Sequence, residues 1–330
     1  MGCVLVVGGA GYIGSHTVYS LVEDGYNVLV LDNLSTGFRE AIHKNAKFYE
    51  GDIKDEDFLE YIFKKEDVDS VIHFAAFSRV EESMKCPFKY YENNVIGTKT
   101  LVESMIKNNV KDIVFSSTAA VYGNGVDGPI DENQNKEPTN CYGDTKLTIE
   151  NMLKWTGFAY GLRYVCLRYF NACGAHKKGL IGESHKNESH LIPLVLQVAL
   201  KQREYISIFG TDYKTKDGSA VRDYVHVLDL AKAHILAIEY LKNGGQSDIF
   251  NLGNGVGFSV KEIIKAAENV TKTKINFKEE KRRAGDPAIL VACSNKAKKI
   301  LNWEPEFKDI EQIIKTAYLW HKNNPNGFIT

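Results

Sequence analysis

Tyr142 and Lys146 stand four residues apart in Tyr142-Gly143-Asp144-Thr145-Lys146, a spacing that puts both side chains on one face of a helix. A phenol and an ammonium one helical turn apart can move a proton to or from a substrate hydroxyl. A free tyrosine has a pKa of about 10, too high for a good base near neutrality, and neighbouring positive charge would lower it. Tyr142 would then act as the acid and base, with Lys146 supporting it. Thr118, just past a strand predicted over 112–117, is placed to hydrogen-bond the same hydroxyl. An exposed tyrosine over a lysine stem also occurs on many helices without function, so the pair needs a context.

That context lies at the start of the chain. The apolar run over 4–7 enters Gly8-x-x-Gly11-x-x-Gly14, a turn that permits close approach of a pyrophosphate while the following helix offers its positive N-terminus. The spacing differs from the usual Gly-x-Gly-x-x-Gly, but the strand before it and helix after it are what a dinucleotide site requires. Asp32 falls 18 residues after Gly14, at the end of the second predicted strand. A carboxylate there accepts hydrogen bonds from a ribose hydroxyl of NAD and repels the extra phosphate of NADP. The expected cofactor is therefore NAD, whose oxidised ring adds positive charge beside Tyr142. Two alternatives stand: Asp32 capping a turn with Asn33, and Arg39 accommodating a phosphate. Asp52 and the Ala75-Ala76 pair also follow predicted strands, at the sheet edge where ligands of open α/β sheets sit.

The elements that hold these residues alternate. Strands are predicted over 4–9, 27–32, 47–51, 70–76, 112–117 and 164–169, and helices over 14–24, 55–65, 87–108 and 142–155, with Asp55 and Asn140 as caps. Such alternation implies a parallel sheet with both faces covered. After Asn171 come helices at 190–201, 227–241, 260–270 and 310–321, with short strands around 206–209, 249–252 and 274–277. Residues 172–189 are rich in Gly, Lys, His and Ser, and read as a long loop over a site. The expected fold class is α/β: a Rossmann-like doubly wound parallel sheet with a smaller mixed α/β substrate lobe. Residues 1–171 form the cofactor domain, joined by part of 220–250, and residues 172–330 form the lobe.

Composition narrows the functional classes. The chain has 330 residues with 41 Lys+Arg against 42 Asp+Glu, so no basic excess points to nucleic acid. No apolar run approaches the ~20 residues of a membrane helix. Met1-Gly2-Cys3-Val4 runs straight into a strand with no basic or cleavable stretch ahead of it, and the expected location is the cytoplasm. The six cysteines are scattered and form no metal-binding pair; reduced thiols and no metal are expected. Cys141, beside Tyr142, is tempting as a nucleophile, but a free cysteine is more often a small core residue.

Taken with these features, His73-Phe74-Ala75-Ala76, Tyr90-Tyr91-Glu92-Asn93-Asn94-Val95, the run from Phe115 to Gly123, and Leu167-Arg168-Tyr169-Phe170-Asn171 make the chain resemble the extended short-chain dehydrogenase/reductase family. Ile208-Phe209-Gly210-Thr211-Asp212-Tyr213 and Val221-Arg222-Asp223-Tyr224-Val225-His226-Val227 resemble the nucleotide-sugar epimerases within it, and the likeness runs over nearly the whole chain.

The resemblance implies NAD-dependent interconversion of UDP-glucose and UDP-galactose through a 4-keto sugar, with Tyr142, Lys146 and Thr118 catalytic. It implies cofactor contacts from Gly8, Gly11, Tyr12, Ile13 and Gly14, from Asp32, Asn33, Ser35 and Thr36, and from Asp52 and Ile53. Phe74, Ala75, Ala76, Asn93, Ser116 and Tyr169 complete that set with Tyr142 and Lys146. The UDP-sugar would be held by Phe170, Asn171, His190 and Leu191, and by Phe209, Arg222, Tyr224, Arg283 and Asp286, beside Thr118 and Tyr142. Arginines suit a diphosphate as forked, charge-assisted donors, although a single arginine is often only a surface ion pair.

Two positions depart from the better-known pattern. Ser78, with Arg79 beside it, stands where Lys is usual, which puts one phosphate contact in doubt. Leu290 stands where Tyr or Cys often bounds the sugar pocket, and its bulk is expected to exclude an N-acetyl group. A 4,6-dehydratase of the family would need an acidic pair after the threonine, where this chain has Ala119-Ala120. Uronate-specific relatives need a carboxylate site that no residue here is assigned to form. A nucleotide-sensing protein on the same fold would commonly lack the tyrosine or the lysine, both present here. The family also implies a homodimer formed through the helices over 87–108 and 142–155.

Overall fold

Val4-Leu5-Val6-Val7 is apolar on both faces, and such a strand must be covered above and below. In the computed structural model, which describes residues 2–124, 128–283 and 286–328, all of β1 (Cys3–Val7) is buried. Then follow α1 (Tyr12–Glu23), β2 (Asn27–Asp32), β3 (Lys47–Glu50), α2 (Glu56–Lys65) and β4 (Val68–His73). Asp55 caps α2, its carboxylate accepting from the Phe58 N–H at 3.0 Å.

After α3 (Val80–Lys85), the helix predicted over 87–108 runs without a break as α4 (Pro87–Tyr90), a π-helical turn over Tyr91–Ile96, and α5 (Gly97–Lys107). Pro87 has no N–H to continue α3 and is suited to a first helical position, so it starts a new helix. After β5 (Asp112–Thr118), α6 (Cys141–Tyr160) carries the Tyr-Lys pair and β6 (Arg163–Tyr169) follows. Asn140 caps α6 by accepting from the Gly143 N–H at 2.9 Å, which starts the helix one residue before Tyr142.

The second half runs β7 (Asn171–Cys173), α7 (Leu191–Ala199), β8 (Ile206–Phe209), β9 (Val221–His226), α8 (Val227–Lys242) and β10 (Asp248–Leu252). It ends with β11 (Gly257–Ser259), α9 (Val260–Thr271), β12 (Phe277–Glu280), β13 (Ile289–Leu290), α10 (Asn295–Leu301) and α11 (Ile310–Asn323). The strand predicted over 274–277 lies at 277–280. β9 was not among the expected strands, because Arg222 and Asp223 interrupt its apolar signal.

The main sheet has seven parallel strands in the order β3-β2-β1-β4-β5-β6-β10. The first six follow the doubly wound order, whose crevice between β1 and β4 is a ligand site. One core packs α2, α5 and α6 on one face; the other packs α1 and α8 on the opposite face, closed by Trp303. β10 pairs with β6, so the strand predicted over 249–252 belongs to this sheet. A third core gathers α7, α9 and α11 around β8. Two small sheets, β11-β9-β13 with β7 added on β9, and β12-β8, complete the structure. Among the described residues no helix is long and apolar enough to cross a membrane.

Candidate active site

The glycine turn is tight enough to need its glycines. Gly8 has φ +82°, and a Cβ there would lie 2.5 Å from the Ala75 nitrogen; a Cβ on Gly14 would lie 2.2 Å from the Gly8 carbonyl oxygen. Gly11 caps α1 without any side-chain bond to the first-turn amides, leaving those N–H groups for an anion. Phe74 and Ala75 donate their amides to the Val7 carbonyl at 2.7 and 3.1 Å, which brings the segment after β4 over the turn. The Tyr12 phenol is directed elsewhere: it donates to the Gly174 carbonyl at 2.6 Å. Ile13 packs against the α1–α8 core, so these two residues reach the turn through their backbone.

Asp32 accepts from the Ala10 amide at 3.0 Å and the Leu34 amide at 2.8 Å. Burial raises its pKa, and those two amides oppose the shift. Asn33 donates to Asp52 at 3.0 Å and accepts from the Ser35 amide at 3.0 Å. Asp32, Asn33, Ser35, exposed Thr36, Asp52 and Ile53 thus line the ends of β2 and β3. Arg39 is held by Glu50 and lies 4.7 Å over the Phe48 ring, an engagement that leaves Asp32 as the group defining this corner.

Burial pushes the Tyr142 phenol up to about 12, and the nearby Thr118 hydroxyl opposes that shift. Lys146, 2% exposed, donates to the Ser116 carbonyl at 2.8 Å; burial lowers its pKa to about 7, against the opposing field of Glu150. The expected lowering of Tyr142 by the lysine and the cofactor ring together is not produced by the protein alone. Desolvation outweighs the Thr118 effect, and the positive charge that makes Tyr142 a base has to come largely with the cofactor. Ser116 is buried and its hydroxyl is bonded to the Tyr169 phenol. Cys141 is half-buried, and burial with nearby Asp144 raises its thiol pKa, the opposite of a nucleophile's environment. All six cysteines are free.

Two supports went unread in the sequence. Glu150, one turn beyond Lys146 on α6, accepts from Arg168 at 2.9 and 2.5 Å and from Ser117 at 2.5 Å, all buried. Arg168 also donates to the Tyr122 phenol at 2.8 Å, and that phenol donates to Asn251 at 2.7 Å. Four elements thus lock onto the helix that carries Tyr142. Asn94, not its neighbour Asn93, is fully buried. It bonds the Phe77 amide at 2.8 Å, the Phe77 carbonyl at 3.0 Å and the Thr145 hydroxyl at 3.1 Å, joining the π-helical turn to the segment after β4 and to α6. Asn93 donates to Asn94 at 2.9 Å.

The second half of the chain gathers its own polar residues. Arg222 donates to Asp286 at 2.8 Å, and the Arg283 guanidinium lies 3.9 Å over the Phe209 ring. Leu290 pairs in register with Arg222 and packs with Phe170 against Val121, Tyr122 and Ile130. Asn171 donates to the Asp223 carbonyl at 3.0 Å. The Asp223 carboxylate, buried and unforeseen, accepts from the amides of Asn254, Gly255 and Ala292 at 2.8, 3.0 and 3.1 Å. Tyr224 is buried in the lobe core, whereas Leu191 is only half-buried there. His190 is exposed and faces Glu183 and Glu188, and Ser78 and Arg79 are exposed.

Residues 4–253 match the NAD dependent epimerase/dehydratase family. The chain belongs to that family. It is 57% identical over 99% of its length to the UDP-glucose 4-epimerase of Halalkalibacterium halodurans, covering 98% of that protein. A crystal structure of a UDP-glucose 4-epimerase superposes with a TM-score of 0.98 at 52% identity, over 99% of this chain and 100% of the other. The Bifidobacterium longum enzyme, solved with NAD+ and UDP, superposes with a TM-score of 0.93 at 40% identity, over 98% and 99% of the two chains. The NAD dependent epimerase/dehydratase match ends just past β10, so it takes in the whole main sheet, while Arg283, Asp286 and Leu290 lie beyond it.

Proposed function

We propose that this protein interconverts UDP-glucose and UDP-galactose by NAD-dependent oxidation and re-reduction at C4 of the sugar. The observation that carries the reading is the buried Lys146 ammonium 6.0 Å from the centre of the Tyr142 ring, beside Thr118 at the C-terminal end of β5, two strands from β1, which enters the glycine turn. Relatives and solved structures of that activity, similar over nearly the full chain, support it.

The residues fit NAD. A Cβ would fill the cradle at Gly14 and Gly8 that a pyrophosphate needs, and Asp32 suits a ribose diol. When bound, NAD accepts the C4 hydride, returns it, and brings positive charge next to Tyr142. Tyr142 takes the proton of the sugar 4-hydroxyl and later returns it to the same oxygen, after the 4-keto sugar has presented its opposite face for the hydride; Thr118 orients that hydroxyl. Lys146 holds the end of β5 through the Ser116 carbonyl and adds the part of its charge that burial leaves. Asp52, Ile53, Phe74, Ala76, Asn93 and Tyr169 belong to the cofactor side of the proposal. Arg222 and Arg283 bind the diphosphate, Phe209 lines the uracil, and Asn171, Leu191, Tyr224 and Asp286 complete the nucleotide grip. Binding energy placed on UDP leaves the 4-keto sugar free to turn over between the two hydride transfers.

The proposal includes a cofactor domain of residues 1–171 with part of 220–250, and a UDP-sugar lobe of residues 172–330. It includes a cytoplasmic homodimer, supported by the free cysteines and by exposed Phe88, Met84 and Ile96 on the helices before β5 and Trp155 and Phe158 on α6. The deciding test follows UDP-glucose formation from UDP-galactose by NMR, first without added cofactor and then with NAD. Interconversion without net NADH is expected, and its absence despite bound NAD would refute the reading.

Two substitutions probe the halves of the site. Gly14→Ala drives a Cβ into the Gly8 backbone, where no flexible side chain can yield, so the purified variant is expected to lose its NAD. Wild-type cofactor content on denaturation would contradict this. Leu290→Cys opens the pocket wall, and turnover of UDP-N-acetylglucosamine relative to UDP-glucose is expected to rise by about 10-fold or more, the scale of a few methylenes in an apolar pocket. An unchanged ratio of kcat/KM values removes Leu290 as the gate.

A further inference from the structure

The cysteines predict no metal site, and the cluster that suggests one uses none of them. Glu183-x-His185-x-x-Glu188-x-His190 lies in the segment between β7 and α7, and one donor atom from each of these four side chains falls within 4.8 Å of the others. His190 Nδ1 is 2.8 Å from Glu183 Oε1 and 2.9 Å from Glu188 Oε1; His185 Nδ1 is 3.0 Å from Glu188 Oε2 and 3.4 Å from Glu183 Oε1. In a tetrahedral zinc site with bonds of about 2.0–2.1 Å, neighbouring donor atoms are roughly 3.3 Å apart. The cluster is already close to that spacing.

A second observation points the same way. The Glu183 side chain is only 5% exposed, and among the described residues its only charge partners are the two imidazoles of the cluster, with no lysine or arginine pairing with it. A carboxylate buried so deeply needs a cation or a strong donor set. Two neutral imidazoles and two carboxylates around a divalent ion make a site of zero net charge, with donors that suit zinc. The surroundings hold the cluster in place. The Glu183 carbonyl accepts from Trp320 Nε1 at 3.0 Å, and His185 packs edge-on against the Tyr12 ring with centroids 6.5 Å apart. His190, the most exposed member, gives an ion its entry path.

We propose that Glu183, His185, Glu188 and His190 form a site for a divalent transition-metal ion of the zinc class, with a structural role. The ion pins the long segment after β7 between the N-terminus of α1 and the start of α7, where Leu191 follows His190 directly. It takes no part in the hydride and proton chemistry, and its existence does not depend on the proposed sugar substrate.

The test uses the full-length protein stripped with a chelator and desalted. Calorimetric titration with Zn2+ is expected to show one equivalent bound per chain, and Co2+ to give visible bands of four-coordinate intensity. His185→Ala and Glu188→Gln are each expected to weaken uptake by more than the roughly 10–100-fold that losing a hydrogen-bond partner of a ligand costs. Circular dichroism separates a misfolded variant from a lost ligand, and the Co2+ spectrum probes the donor set without any substitution. Failure of the stripped protein to bind stoichiometrically, a six-coordinate Co2+ spectrum, or undiminished uptake by both folded variants would overturn the site.

Discussion

Tyr142→Phe is expected to cut turnover of UDP-galactose by about 10²–10⁴-fold, the usual worth of a positioned acid and base, while UDP and NAD bind nearly as before. The substitution removes only the phenol oxygen beside Thr118 and leaves the glycine turn, Asp32, Arg222 and Arg283 untouched. Retention of substantial activity would remove Tyr142 from the mechanism. The same variant serves as the blank for a titration. With the tyrosine held at about 12 by burial, the cofactor-free protein should show no Tyr142 phenolate below about pH 10 in a near-ultraviolet difference spectrum. Positive charge lowers a phenol's pKa, so NAD+ should move that phenolate to lower pH, and by linkage NAD+ should bind more tightly as pH rises between the two values. NAD+ affinity flat across that range would mean that the ring and the phenol do not interact.

Arg168→Met carries the largest expected structural effect. The substitution leaves Glu150 charged and buried with Ser117 as its remaining described partner, and deprives the Tyr122 phenol of its donor. Removing one partner of a buried ion pair costs about 3–5 kcal/mol, to be read from denaturant unfolding. Adding Glu150→Leu should restore most of that loss, because the uncompensated charge goes with it. Turnover is expected to stay depressed in the double variant, since Glu150 is one turn from Lys146 and its field is what opposes the burial of that ammonium. Full recovery of kcat together with stability would make the pair a purely structural fastening.

The cofactor turn was legible because much of its requirement is local: Gly8 needs a positive φ and Gly14 answers to the Gly8 backbone, all within one strand, turn and helix. Asp32 was readable for the same reason, being fixed at a strand end by the length of one helix and one strand. Asn94 was not singled out beside Asn93, since only the π-helical turn after Pro87 shows that it is buried and joins three segments. The Glu150–Arg168–Tyr122–Asn251 network joins residues from 122 to 251, and no spacing along the chain encodes such a meeting. Asp223 was hidden in a strand whose charged residues mask its apolar pattern. The Glu183–His190 cluster was in plain view as a spacing, but a polar stretch reads as a loop until its donor atoms are seen to converge.

Alternating apolar periods, the glycine turn and the tyrosine and lysine one turn apart are properties of neighbouring residues, and by themselves they determined an α/β dinucleotide fold with acid-base chemistry. The protonation states of Tyr142 and Lys146, the fastening of α6, and the partners of the lobe arginines were decided only by the tertiary structure. Desolvation and ion pairing depend on what distant segments bring to within a few ångströms, and that distance is set by packing rather than by position in the chain.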